Sequence, residues 1–157
     1  MKSKLFTFFW DIVRINTQKI RSNYWSIIFP NKPKNLRVLG KIYVERPYNV
    51  YLGKSVSLNH GCYLNARCNI YIGDACHLSP FVMINAGQLD LNNSERLHIS
   101  KEVKIGNRVW IATNAIINPG VTIGDDCVIG AGAVVTRNLP PNTLCVGVPA
   151  KPIKKLS

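Results

Sequence analysis

The sequence predicts an all-β chain: a parallel coil of short strands, three to a turn, with an N-terminal helical cap. Three observations carry this. An aliphatic residue returns every six positions, at Ile105, Ile111, Ile117, Ile123, Ile129 and Val135. A small or β-branched residue stands two positions before each, at Val103, Val109, Ala115, Val121, Cys127 and Ala133. Glycine followed by Asn or Asp recurs after the aliphatic position, at Gly73-Asp74, Gly106-Asn107 and Gly124-Asp125. A six-residue period is not helical, and apolar residues at i and i−2 share one face of an extended strand. Each hexad is therefore a strand and a corner, and three hexads close a triangular turn. Stacked turns share an inward ladder that no single turn could bury alone. Glycine, Asn and Asp suit corners where a positive φ is tolerated.

The upstream half repeats more loosely. Its aliphatics are Leu52, Leu58, Leu64, Ile72, Leu78 and Ile84, with Val50, Val56, Cys62, Ile70, Cys76 and Val82 two positions before. The steps from Val44 to Leu52 and from Leu64 to Ile72 are two residues longer than the rest, so one side of each upstream turn carries an excess. The coil is expected over residues 38–139. Residues 88–97 interrupt it as a loop between Ile84 and Ile99. Pro140-Pro141 is expected to end it by removing backbone donors, leaving 140–157 as a tail. The handedness of the coil does not follow from its period.

At 157 residues the chain has the length of one domain, and 46% apolar residues suffice for a core. An aromatic content of 9% excludes a disordered chain. No apolar run approaches the ~20 residues of a spanning helix. Leu5–Trp10 is shorter than a signal-peptide core, Asp11 interrupts it, and no small-residue cleavage site follows. The five cysteines form no Cys-x-x-Cys pair, and Cys62, Cys76 and Cys127 occupy the small position of the repeat. They read as apolar fillers in a reducing compartment, whereas Cys68 and Cys145 are less well placed. A cytoplasmic location is the expectation.

The net charge is +12, and much of it is local. Within residues 1–37, Lys2, Lys4, Arg14, Lys19, Arg21, Lys32, Lys34 and Arg37 face Asp11 alone. Aromatic and aliphatic residues are mixed among them, which predicts an amphipathic helix before Pro30. Such a helix either covers the open edge of the first turn, as solenoids require, or lies on the inner face of an anionic membrane. The two readings are compatible. No nucleic-acid motif accompanies the charge.

Four segments carry a family resemblance. They are Val109-Trp110-Ile111-Ala112, Asn118-Pro119-Gly120-Val121-Thr122-Ile123-Gly124, Val128–Thr136 and Gly147-Val148-Pro149-Ala150-Lys151. Together they resemble the C-terminal signature of hexapeptide-repeat acyltransferases of the galactoside, xenobiotic and serine acetyltransferase type. The resemblance spans about residues 40–155. It implies a left-handed parallel β-helix, a homotrimer, and acetyl-CoA as co-substrate in the groove between neighbouring subunits, with no metal. It also implies cofactor-binding roles. Trp110 would lie beside the groove. Ala112 and Ala131 would leave neighbouring N–H groups for the pantetheine arm. Arg137 and Lys151 would meet CoA phosphates, with Lys154 and Lys155 as weaker candidates. Asn65 and Asn85 follow inward aliphatics and are candidates for binding the acceptor, or simply corner residues.

Acetyl transfer to a hydroxyl needs a general base, donors for the oxyanion and a groove that aligns both substrates. Histidine suits the base, and the chain has three: His60, His77 and His98. His98 is the catalytic candidate because it ends the only excursion from a rigid coil. Galactoside-type enzymes place their catalytic histidine about where Gln88 stands, and glutamine cannot act as a base. His98 therefore replaces it by role and neighbourhood. His77 is the second candidate, and Glu95 or Asp90 could orient an imidazole. Three histidines also raise a zinc enzyme of the carbonic anhydrase type, but their spacing lacks its close His-x4-His pair. A non-catalytic scaffold is the other alternative. The favoured reading is a trimeric, cytoplasmic O-acetyltransferase acting on a sugar hydroxyl of a surface polysaccharide or its precursor.

Overall fold

The computed structural model describes residues 2–92 and 94–156, with side chains from Ile12 onward. The coil has three faces. The first stacks Arg37–Val38, Ser57–Leu58, His77–Leu78, Trp110–Ile111, Val128–Ile129 and Thr143–Val146. The second stacks Tyr43–Glu45, Tyr63–Asn65, Met83–Asn85, Ile116–Ile117 and Val134–Val135. The third stacks Val50–Leu52, Ile70–Ile72, Val103–Ile105 and Thr122–Ile123, and a bridge from Ile123 to Leu139 extends it. Consecutive strands fall on different faces, and within the stacks every pair is parallel, one turn apart. Ser57 meets His77 twenty residues on, and Asn107 meets Asp125 eighteen on. Asp74 meets Asn107 thirty-three on, because that turn contains the excursion. The two-residue excess of the upstream turns lies between the second and third faces.

The inward ladder is the one the period predicts. Leu58, Leu64, Leu78, Ile84, Ile111, Ile117, Ile123 and Ile129 are fully buried, as are the smaller Cys62, Cys76, Val82, Val109, Ala115 and Ala133. Burying each large aliphatic contributes about 1.5–3 kcal/mol relative to exposure. Burial pushes the Cys62 and Cys76 thiols up to about 11, which keeps them as packing atoms. Cys145 also lands inside, above Ile129, so it belongs to the ladder and is better placed than its sequence context implied.

The corners are built from hydrogen bonds between turns. Where the third face turns into the first, Asp74 Oδ1 accepts from the Lys54 amide at 2.8 Å and Asn107 Oδ1 from the Asp74 amide at 2.9 Å. Asp125 Oδ1 accepts from the Asn107 amide at 2.8 Å. These bonds, from the Asn107 backbone first and its side chain second, hold the Asp125 carboxyl below the usual carboxylate range. A Cβ on Gly106 would overlap Asp125 Oδ1 and lie 2.7 Å from its amide nitrogen, so the close stacking of turns requires glycine there.

Two boundaries differ from expectation. Pro140-Pro141 does not end the coil. The prolines occupy the corner above Gly124-Asp125, and the chain then adds Thr143–Val146 in parallel on Val128–Ile129. Only after that does Lys151–Lys155 return antiparallel along the top edge. A proline fits a corner because the amide there does not pair within a sheet. The excursion is also more ordered than a loop: Gly87–Leu89 and His98–Ser100 form an antiparallel hairpin.

A helix spans Lys2–Ile28. Its C-terminal part closes the bottom of the coil. Ser22 Oγ accepts from the Val38 amide at 2.9 Å, and Phe29 is buried and stacked on Trp25. Asn31 then pairs with both backbone groups of Leu52, as another strand would.

Candidate functional site

On the first face, the residue before each inward aliphatic points outward. Parallel register stacks these residues in one column: Arg37, Ser57, His77, Trp110, Val128 and Leu144. Ser57 is nearly buried, and its hydroxyl lies 2.6 Å from His77 Nδ1. That contact positions an exposed imidazole with Nε2 as its remaining nitrogen. One rung higher, Trp110 is half exposed and its indole N–H donates to Ser79 Oγ at 3.0 Å. Lys151 begins the terminal strand along this face's upper edge, beside Val146, and Lys154 pairs with Leu144.

Ala112 and Ala131 sit where the first face turns into the second. The Ala112 amide donates to the Ile129 carbonyl, and the amides of Gly130 and Gly132 donate to Cys145 and Thr113. The N–H groups flanking Ala131 are thus committed within the coil. At Ala131 what is left to a ligand is the small side chain rather than its neighbours' amides, which corrects the expectation for that residue; at Ala112 the committed amide is the residue's own.

On the second face, Glu45, Asn65 and Asn85 stack in register at the strand ends. The Tyr63 hydroxyl donates to Glu45, a bond that raises the Tyr63 pKa. Asn65 Oδ1 is buried without a hydrogen-bond partner, an acceptor atom left unused. The hairpin leaves the coil just beyond Asn85. Within it Leu89 pairs with His98 and Gln88 with Ile99. Residues directly opposite in an antiparallel pair share a side. His98 therefore leaves the ribbon on the side of Leu89, whereas Gln88 shares the other side with Ile99. His98 does not occupy the space of Gln88, although it is exposed and one residue away across the ribbon. The Asp90 carboxylate accepts from the Asn92 amide and so organises the hairpin turn. Arg137 is exposed two turns above, where the second face gives way to the third.

The candidates thus divide between two edges of the prism. Trp110, Ala112, Ala131 and Lys151 belong to the first face and its corner, together with His77. Asn65, Asn85, His98 and Arg137 belong to the corner between the second and third faces. The second face separates the two groups. His60 is a corner residue, edge-on to Phe81 at 5.5 Å. Among the described residues, no three His, Cys, Asp or Glu side chains gather as a metal site. Sequence reasoning missed Ser57 and Ser79 as partners of His77 and Trp110. The signal was available, since Ser57 precedes His77 by one upstream turn.

The family model for bacterial transferase hexapeptide (six repeats) matches residues 102–137. The chain is 32% identical over 133 residues to galactoside O-acetyltransferase of Escherichia coli (strain K12), covering 83% of this chain and 66% of that protein. It spans about half to two thirds of the length of the curated relatives it matches, 54% and 66% in two of them. A maltose O-acetyltransferase from Clostridium difficile 630 shares its fold with a TM-score of 0.80 at 37% identity, covering 85% of this chain and 73% of that one. A hexapeptide-repeat acetyltransferase from Vibrio cholerae O1 biovar eltor, complexed with acetyl coenzyme A, has a TM-score of 0.80 at 28% identity, covering 85% and 74%. The coil is the left-handed parallel β-helix of these neighbours. With the repeat, the signature and the superposition in agreement, the chain belongs to the hexapeptide-repeat acetyltransferase family.

Proposed function

We propose that the chain is an acetyl-CoA-dependent O-acetyltransferase, active as a homotrimer, whose acceptor is a sugar hydroxyl on a surface polysaccharide or its precursor. The observation that carries this reading is the division of the candidate residues between two edges of one prism. A cyclic trimer would bring the Trp110 edge of one copy against the hairpin edge of the next, and each of its three seams would hold a complete set. The similarity to galactoside and maltose O-acetyltransferases supports a sugar hydroxyl as acceptor.

The residues present suit the donor. Lys151, Lys154 and Lys155 place three exposed cations on the terminal strand, and Arg137 adds a fourth elsewhere, all fit to pair with phosphates. Trp110 offers a half-exposed aromatic wall, and Ala112 and Ala131 leave room beside it. Acetyl-CoA supplies a thioester carbonyl as the electrophile. This chain supplies positioning and proton transfer. Asn65 and Asn85, stacked one rung apart beside the hairpin, are the side-chain amides placed to orient an acceptor hydroxyl. The hydroxyl oxygen bonds to the thioester carbonyl carbon while its proton passes to an imidazole nitrogen of His98, which returns it to the departing thiolate as the C–S bond breaks and CoA leaves as the thiol. Gln88 has no nitrogen basic enough for that step.

The Ser57–His77 contact favours a second assignment of the base. His77 is already oriented by a hydroxyl at Nδ1 and stands one rung below Trp110. The test is turnover of labelled acetyl-CoA with a panel of nucleotide sugars, lipid-linked glycans and polysaccharides, using wild type, His98→Ala and His77→Ala. Loss confined to His98→Ala upholds the first assignment, and loss confined to His77→Ala the second. Full activity in both variants removes His98 and His77 as the base. Failure of the wild type on every carbohydrate removes the acceptor class.

A further inference from the structure

We propose that the N-terminal helix docks on an anionic lipid bilayer, with the face opposite the coil inserted among the headgroups. Contact with the coil uses one side of the helix. Ser22 and Phe29 are buried and Gln18, Trp25 and Ser26 half-buried, at helical spacing. Half a turn around, Val13, Ile20 and Ile27 repeat every seven residues and remain exposed, with Tyr24 beside them. Ile20 is 69% exposed and Ile27 73%, and neither belongs to the buried core. Solvent-facing positions of a simple cap would be polar on that side.

The charge identifies the partner. Asp11 is the only acid in residues 1–37, against eight Lys and Arg. Lys19 is exposed on the helix, and Lys32, Lys34 and Arg37 continue the charge beyond it. An apolar stripe flanked by cations, on a helix too polar to cross, is the pattern of an interfacial helix. At 27 residues the helix is roughly 40 Å long, and no helix among the described residues is long and apolar enough to cross a membrane. Each Lys or Arg near an anionic surface adds about 1 kcal/mol of attraction. A second copy of this helix fits less well. Asn16 and Asn23 lie beside the stripe, and close approach would set two strongly cationic segments against each other. The proposal is independent of the chemistry assigned to the coil, because its test measures binding alone.

The experiment is flotation of the full chain with vesicles of phosphatidylcholine and with vesicles of phosphatidylcholine mixed with phosphatidylglycerol. The wild type floats with the mixed vesicles, stays behind with the neutral ones, and is released by high salt. The uncharged double substitution Ile20→Asn with Ile27→Asn lowers affinity at least about tenfold, leaving the thermal melt and the light-scattering mass unchanged. Lys19→Gln, which leaves the stripe intact, lowers it about fivefold. The proposal is overturned if the wild type floats with neither vesicle, or if the double variant floats like wild type. A change in the double variant's mass overturns it too, because the stripe would then be an interface between copies.

Discussion

The stacked turns and the hairpin Gly87–Ser100 have opposite constraints. In the turns, each outward residue is registered between a residue one turn below and another one turn above, and each inward one is locked in the ladder. Ser57, His77 and Trp110 form a column because the chain has no other way to stack. The hairpin has one partner strand, six residue positions in register and mostly exposed side chains. The coil supplies rigid geometry, and the excursion supplies a side chain free of the period. A seam between copies would combine the two.

That contrast breaks most sharply at the histidines. His98→Ala lowers kcat/KM by about 10²–10⁴-fold, the usual worth of a positioned base, with no change in the thermal melt. If the same loss follows from His77→Ala instead, the chemistry belongs to the coil and the hairpin is left with acceptor contacts.

Stability shows the reverse pattern. Ile111→Ala empties a fully buried rung and costs about 2–5 kcal/mol in urea unfolding. Leu91→Ala, 77% exposed at the hairpin turn, stays within about 0.5 kcal/mol. Equal costs would mean that the hairpin belongs to the cooperative core.

The corners give an intermediate effect. Gly106→Ala forces a Cβ onto the Asp125 carboxylate and backbone, costing about 1–3 kcal/mol by the same measurement. A neutral result would show that neighbouring turns can part without loss.

The smallest effect is pH dependence. The folded-state pKa of Asp125 is depressed by its bonds from Asn107. Its contribution is therefore complete above the unfolded carboxylate value, near 4, and is lost as pH falls through the lowered folded value. Asp125→Asn keeps an acceptor oxygen but cannot titrate, so its melting temperature changes less between neutral and acid pH than that of the wild type. A parallel acid profile in the two proteins would refute the assignment.

Much of the coil was legible because inward aliphatics at a fixed step leave few ways to bury them. Ile105 through Val135 named their own rungs, and the longer steps at Val44–Leu52 and Leu64–Ile72 named the wider side. Pro140-Pro141 was misread because a proline that ends a sheet strand and one that turns a coil corner look alike in sequence. Cys145 was undervalued because the corner before it hid its phase. The site was less legible. Trp110, Ala112 and Lys151 came from a resemblance, and Ser57, the nearest partner of His77, was overlooked because one turn separates them.

The sequence by itself determined the period, the inward ladder, the corner chemistry and the basic, apolar N-terminal segment, since each depends on residues close in the chain or repeated at one step. The tertiary structure alone decided which side of the hairpin carries His98 and that the candidate residues divide between two edges. Those facts depend on register between distant strands, and register is set by how whole turns stack.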